Sequence, residues 1–314
     1  MLGYIVQRIL AAIPVMAIVA LFVFLLLRLT PGDPAAIIAG DAATEAQLER
    51  IRESLGLKDP LHVQFLTWIG NLLQGDFGTS VLSGTPVIDM IASRMEPTIS
   101  LALTTITLSV LIAVPLGVIA AWKHGTLVDR FVMALSVVGF SVPVFVIAYA
   151  MISVFAMDLQ WFPVQGFAPI SEGLGPFLSR IALPTFTLTL LYIALIARIT
   201  RTSMLEILGE DYVRTARAKG LSEGRVLMSH ALRNCSVPII TIIGIGVALL
   251  ISGVVVTESV FNLPGLGRLT VDAVLARDYP VIQAVILLAS LIYVVINLLI
   301  DIAYVLLDPR IRYQ

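Results

Sequence analysis

Ile9-Leu-Ala-Ala-Ile-Pro-Val-Met-Ala-Ile-Val-Ala-Leu-Phe-Val-Phe-Leu-Leu-Leu27 runs for 19 residues without a charged side chain. A helix rises about 1.5 Å per residue, so about 20 apolar residues cross the hydrocarbon core of a bilayer. The run exceeds the roughly 7–15 apolar residues of a signal peptide. No small-residue cleavage motif follows it; Leu29-Thr-Pro-Gly-Asp-Pro34 does. It reads as a retained spanning helix.

The rest of the chain repeats the pattern. Apolar segments at 5–29, 98–121, 131–157, 181–197, 238–257 and 281–307 give six expected spans. They lack the two-residue alternation of barrel strands, and in lipid a helix is the other way to satisfy the backbone. Composition agrees: of 314 residues, 58% are hydrophobic and 13% charged. Soluble domains hold about 45–50% and about 25%. A net charge of −1 argues against a nucleic-acid binder, which needs a basic excess. High hydrophobicity argues against disorder. The lone Cys235 makes no intrachain disulfide and reads as a packing residue, and no Cys/His cluster has zinc spacing.

Short translocated loops avoid Lys and Arg. The loop between spans four and five carries Arg198, Arg201, Arg214, Arg217, Lys219, Arg225 and Arg233. Lys123, Arg130, Arg8, Arg310 and Arg312 fall on the same side, because six spans place both termini together. That side is expected to be cytoplasmic. Residues 30–97 then form an extracytoplasmic subregion, with helices expected at 44–57 and 62–74 and a lead-in at 89–95. It reads as a lid on the bundle or as a docking surface for an outside partner. Residues 198–237 form a cytoplasmic loop: a helix over 203–219, a break at Gly220, Ser222 as N-cap, and a second helix over 223–233. Its basic residues suit lipid headgroups, but headgroups do not explain a break ordered between two helices.

Several stretches in that frame carry a resemblance. Tyr212-Val-Arg-Thr-Ala-Arg-Ala-Lys-Gly220-Leu-Ser222, followed by His230-Ala-Leu-Arg-Asn234 and Pro238, resembles the cytoplasmic signature loop of ABC-importer permeases of the dipeptide/oligopeptide/nickel branch. The general pattern is Glu-Ala-Ala, three residues, then Gly. Ala216 and Gly220 fit it, while Arg214 and Thr215 stand where Glu and the first Ala would be. Tyr4-Ile-Val-Gln-Arg8, Leu29–Pro34 and Gln74-Gly-Asp-Phe-Gly-Thr-Ser80 look like the first of the two permeases in such systems. Glu258-Ser-Val-Phe-Asn-Leu-Pro-Gly-Leu-Gly267, Asp301-Ile-Ala-Tyr304 and Leu307-Asp-Pro-Arg310 are similar to the same branch. The likeness runs nearly the whole chain, in order.

The resemblance implies an all-α integral membrane protein with six transmembrane helices, a type I importer permease fold and a cytoplasmic coupling helix. It implies ATPase contacts at Tyr212, Thr215, Ala216, Arg217 and Gly220. It places Phe261, Pro264, Gly265 and Gly267 near the docked binding protein and the substrate entrance. Implied partners are a second homologous permease, two cytoplasmic ABC ATPases, an extracytoplasmic binding protein and membrane lipid. ATP and Mg would sit on the ATPases, with no cofactor in this chain, and the location would be the inner membrane of a prokaryote. Peptides are the expected cargo; nickel, an oligosaccharide or an opine-like solute are the alternatives within the branch.

The residues give no chemistry of their own. No Gly-x-x-x-x-Gly-Lys-[Ser/Thr] occurs, and none of Lys58, Lys123 and Lys219 follows a Gly. His62, His124 and His230 are scattered. Polar groups inside spans are the other place for function. Asn297 and Asp301 are four apart on one helix face, as a polar gate or as structural hydrogen bonding. Glu258, at the end of span five, caps the path or stands in water. Gly139-Phe-Ser-Val-Pro143 suggests a broken stretch in span three. Phe261–Gly267 is expected to be irregular, with a short helix over 271–275 after it. A proton-coupled transporter is the rival of another class; it would need carboxylates or His along the midplane.

Overall fold

The computed structural model describes residues 2–29, 44–54, 58–251 and 254–307. Expectations on residues 30–43, 55–57, 252–253 and 308–314 lie outside the described residues. Among the described residues, four helices are long and apolar enough to span a bilayer: α1 (Leu2–Leu29), α4 (Val87–Trp122), α7 (Leu174–Leu208) and α13 (Tyr279–Leu307). Two bent pairs pass the same test of length and composition jointly, which gives six spans if each pair crosses once. The first joins α5 (Leu127–Ser141) to α6 (Val144–Asp158) at 100°. The second joins α9 (Glu223–Leu232) to α10 (Ser236–Ile251) at 63°. Shorter helices are α2 (Glu45–Ser54), α3 (Leu61–Leu73), α8 (Asp211–Ala218), α11 (Val255–Val260) and α12 (Leu266–Leu275).

Local chemistry explains the breaks. Pro143 has no N–H, and the preceding Val142 is extended at φ −87°, ψ 125°, as a residue before proline prefers. The expected span at 131–157 is therefore two helices meeting at that proline. The last seven residues of α6 and of α9, Ile152–Asp158 and Val226–Leu232, are π-wound. The expected single helix over 203–219 is also two. Ser203–Leu208 ends α7, Gly209 caps it, and extended Glu210 at φ −71°, ψ 147° starts α8.

Without a hydrophobic drive between helices in lipid, small side chains permit close packing. The central seam of α4 and α7 has them: Ala113 and Ala120 of α4 and Ala197 of α7 are buried in one cluster with Leu101, Leu188 and Ile196. The Thr104 and Thr185 hydroxyls bond across it at 2.8 Å. A second cluster gathers Val118, Ala121, Met204, Leu227, Ala231, Cys235 and Ile239 where α4 and α7 meet α9 and α10. The molecule so acquires two ends. One holds Gly220 and α8; the other holds Gly265, α11 and α12.

Candidate functional site

At the Gly220 end, α8 is clasped from both sides. Val213 and Ala216, three residues apart, are buried, and the helix packs on the π-wound part of α9. Asn234 Nδ2 donates to Tyr212 Oη at 3.1 Å. Arg217 donates to both carboxylate oxygens of Glu223, at 2.9 and 3.3 Å. The C-terminus closes as a Schellman motif: Gly220 N–H donates to the Arg217 carbonyl at 2.9 Å and Leu221 N–H to the Ala216 carbonyl at 3.3 Å. That motif needs a left-handed residue, and Gly220 has φ +80°.

The sequence placed five contact residues here. Tyr212, Thr215, Arg217 and Gly220 are exposed, beside Arg214 and Lys219. Ala216 differs: its methyl is 7% exposed and turned into the chain, so its smallness serves the packing of α8 on this chain rather than approach from outside. A missed feature braces the same end. Asp129, near the start of α5, is 3% exposed. It accepts from Arg201 Nη2 at 2.8 Å, from Gly125 N–H at 2.9 Å and pairs with His124 Nδ1 at 3.0 Å. Arg201 Nε also donates to it. The turn after α4 is thus tied to α7 about two turns before that helix ends at Leu208. In sequence, the signal was only a carboxylate beside Arg130; its partner is 72 positions away.

At the Gly265 end, Glu258 is the organiser. It is 1% exposed, so it does not stand in water. Its Oε1 accepts from Thr98 Oγ1 at 2.8 Å and its Oε2 from Arg268 N–H at 2.9 Å. Thr98 Oγ1 in turn accepts from Leu266 N–H at 2.8 Å. The first N–H groups of a helix have no intrahelical partner; here a carboxylate and a hydroxyl from two other helices supply them to α12. That is why α12 begins at Leu266, and why Leu266 and Gly267, expected to be irregular, are helical. Burial pushes the Glu258 carboxyl above the usual carboxylate range, against the pull of its donors. A Cβ on Gly265 would overlap that carboxyl.

The neighbouring loops lock onto this core. Gly166 N–H donates to the Phe261 carbonyl at 2.9 Å. Asp278 accepts from Val81 N–H at 3.2 Å and from Ser80 Oγ. Of the four expected entrance residues, Phe261, Gly265 and Gly267 are buried and Pro264 is half-buried. The segment is an internal frame whose surface is Asn262 and the rim of Pro264.

The profile of the binding-protein-dependent transport system inner membrane component matches residues 113–313, and the N-terminal profile of the same transport-system membrane components matches residues 1–102. The chain belongs to this family. It is 56% identical over 310 residues, 99% of each chain, to the probable peptide ABC transporter permease protein y4tP of Sinorhizobium fredii. It is 45% identical over 314 residues, 100% of each, to the glutathione transport system permease protein GsiC of Salmonella typhimurium. A chain of the MetNI methionine ABC transporter in an inward facing conformation shares its fold at a TM-score of 0.58 and 16% identity, covering 70% of this chain and 97% of that one. The protein is a multi-pass inner-membrane permease subunit of an ABC importer.

In this permease the three residues expected to form a polar path or gate are not together. Asp301 forms two 3.0 Å bonds with Arg8 of α1, and Asn297 donates to its own helix at the Tyr293 carbonyl, 2.9 Å away. Both lie far along α13 from the Gly265 end, where Glu258 sits. Arg8 is half exposed, so its pair with Asp301 is worth about 0–1 kcal/mol. Among the described residues no group of three or more His, Cys, Asp or Glu is placed to hold a metal ion.

Proposed function

We propose that this permease carries peptides, and that it does so by pairing with a second, homologous permease around one path. Two cytoplasmic ABC ATPases, holding ATP and Mg, grip the Gly220 end, and both termini lie on that side. An extracytoplasmic binding protein delivers cargo to the Gly265 end. The relatives support the cargo: one is named for peptides and one for glutathione, chemically a tripeptide.

One observation carries the coupling role: α8 is a short, capped helix fixed to α7 and α9, with Tyr212, Arg214, Thr215 and Lys219 facing out. A rigid, exposed lever at the foot of a span suits transmission of motion from an ATPase. A floppy loop would absorb it. Rocking of α8 passes to α10 through the 63° elbow between α9 and α10.

Gly220→Asp tests this. Nothing lies within 4 Å of a Cβ there, and Asp is among the L-residues that enter the left-handed region. The chain should therefore insert and assemble, yet carry a new carboxylate at the exposed end of α8. The expected result is ATP hydrolysis within about twofold of wild type and peptide uptake reduced at least tenfold, about 1.4 kcal/mol or more of lost coupling. Uptake at the wild-type rate would remove α8 from the coupling path.

A further inference from the structure

Helix α3 has no fully buried residue. From Pro60 to Gly75 the chain has no Asp, Glu, Lys or Arg. Just before it the chain is densely charged, with Arg52 on Glu49 at 3.1 Å and Lys58 on Glu53 at 2.9 Å. Charge therefore stops where α3 begins.

At helical spacing, Phe65 and Trp68 form one flank of α3, Leu66 and Leu73 another, and Gln64, Thr67 and Asn71 a narrow polar stripe. The Phe65 and Trp68 rings close on Phe24 of α1, at centroid distances of 5.2 and 5.6 Å. Phe24 is two residues short of the end of the apolar run Val6–Leu26, about 3 Å along the axis. The contact pins α3 to the depth where hydrocarbon gives way to headgroups. That is the depth Trp prefers.

Leu66 and Leu73 nevertheless stay 66% and 84% exposed. The chemistry of the surface identifies what covers them. Where α4 and α7 of this chain pack together, alanines sit among the larger residues: Ala113, Ala120 and Ala197 beside Leu101, Leu188 and Ile196. Helix–helix contacts in membranes favour such small residues. Around Phe24, α1 instead exposes Ile18, Leu21, Phe22 and Leu26. Leu66 and Leu73 are exposed large aliphatics of the same kind, on a helix held to α1 through Phe24.

We propose that α3 lies in the bilayer interface beside α1. Leu66 and Leu73 enter the acyl chains, Thr67 and Asn71 face water, and lipid is the partner of the apolar flank. The helix then acts as a float that sets the depth of the charged α2 above the membrane. Only the choice of leaflet rests on the orientation proposed above.

Nitroxide labels test this in the assembled importer, reconstituted in phosphatidylethanolamine and phosphatidylglycerol vesicles. Leu66→Cys, Leu73→Cys, Thr67→Cys and Asn71→Cys are labelled one at a time; native Cys235 is buried and stays unlabelled. Collision with oxygen reports lipid, and collision with a water-soluble nickel chelate reports water. The oxygen-to-nickel ratio should be at least threefold higher at positions 66 and 73 than at 67 and 71. Equal nickel access at all four positions would overturn the proposal, placing α3 in water. Low access to both reagents at 66 and 73 would also overturn it, placing a protein partner there. The readout does not involve transport, so an inactive importer with the expected pattern would sink the transport reading and leave this one standing.

Discussion

Glu258→Ala should abolish uptake and sharply reduce the amount of assembled permease. The carboxylate is the buried acceptor for the Thr98 hydroxyl and for the Arg268 N–H at the start of α12. Truncation leaves both donors in a site closed to water. An orphaned buried donor costs about 1–3 kcal/mol, so two amount to about 2–6 kcal/mol, a large share of the 5–15 kcal/mol typical of a domain. Glu258→Gln keeps the shape and one strong acceptor, and burial already favours a neutral group there. It should retain most of the assembled protein. Gly265→Ala attacks the same contact from the other side, because its methyl would overlap the carboxyl; it should resemble Glu258→Ala. Thermal unfolding of the detergent-purified importer, read beside uptake, checks all three. Wild-type behaviour of Glu258→Ala would show that the loop does not depend on this carboxylate.

The second large effect lies at the other end. Asp129→Ala leaves the Arg201 guanidinium, only 17% exposed, without its carboxylate, and leaves the Gly125 N–H without its acceptor. Breaking a buried ion pair on one side costs about 3–5 kcal/mol. The turn at 123–126 would separate from α7 just above α8, so uptake should fall with stability. Replacing both partners, Asp129→Leu with Arg201→Met, removes the stranded charge and should recover most of the lost thermal stability. If the double variant is as unstable as Asp129→Ala, the loss comes from packing rather than from the ion pair.

These two sites mark the limit of what the sequence could disclose. Breaks set by local chemistry were legible: Gly220, with its left-handed backbone, and the kink at Pro143 both follow from what glycine and proline can do. Gly209, followed by acidic Glu210 and Asp211, carries the same kind of signal, but the helix formers before it, Met204 to Leu208, mask it. The inward turn of Ala216 depends on the π-wound part of α9 lying beneath it, which no spacing reveals. Glu258 was visible as a carboxylate at a span's end. Its office was not, because Thr98 is 160 positions away and the helix it caps begins only because the carboxylate is there. The signature loop and the entrance segment were recognisable as strings; which of their residues face outward was settled by tertiary contacts.

The central claim is that this permease moves peptide on the energy of ATP hydrolysed by partners. The direct measurement is labelled-peptide uptake into proteoliposomes that hold this chain with its co-expressed second permease and ATPases, with binding protein outside and ATP inside. Uptake should require ATP, the ATPases and the binding protein together, and should be unchanged when an uncoupler dissipates the proton gradient. Peptide uptake by this chain alone, insensitive to ATP and abolished by the uncoupler, would contradict the account.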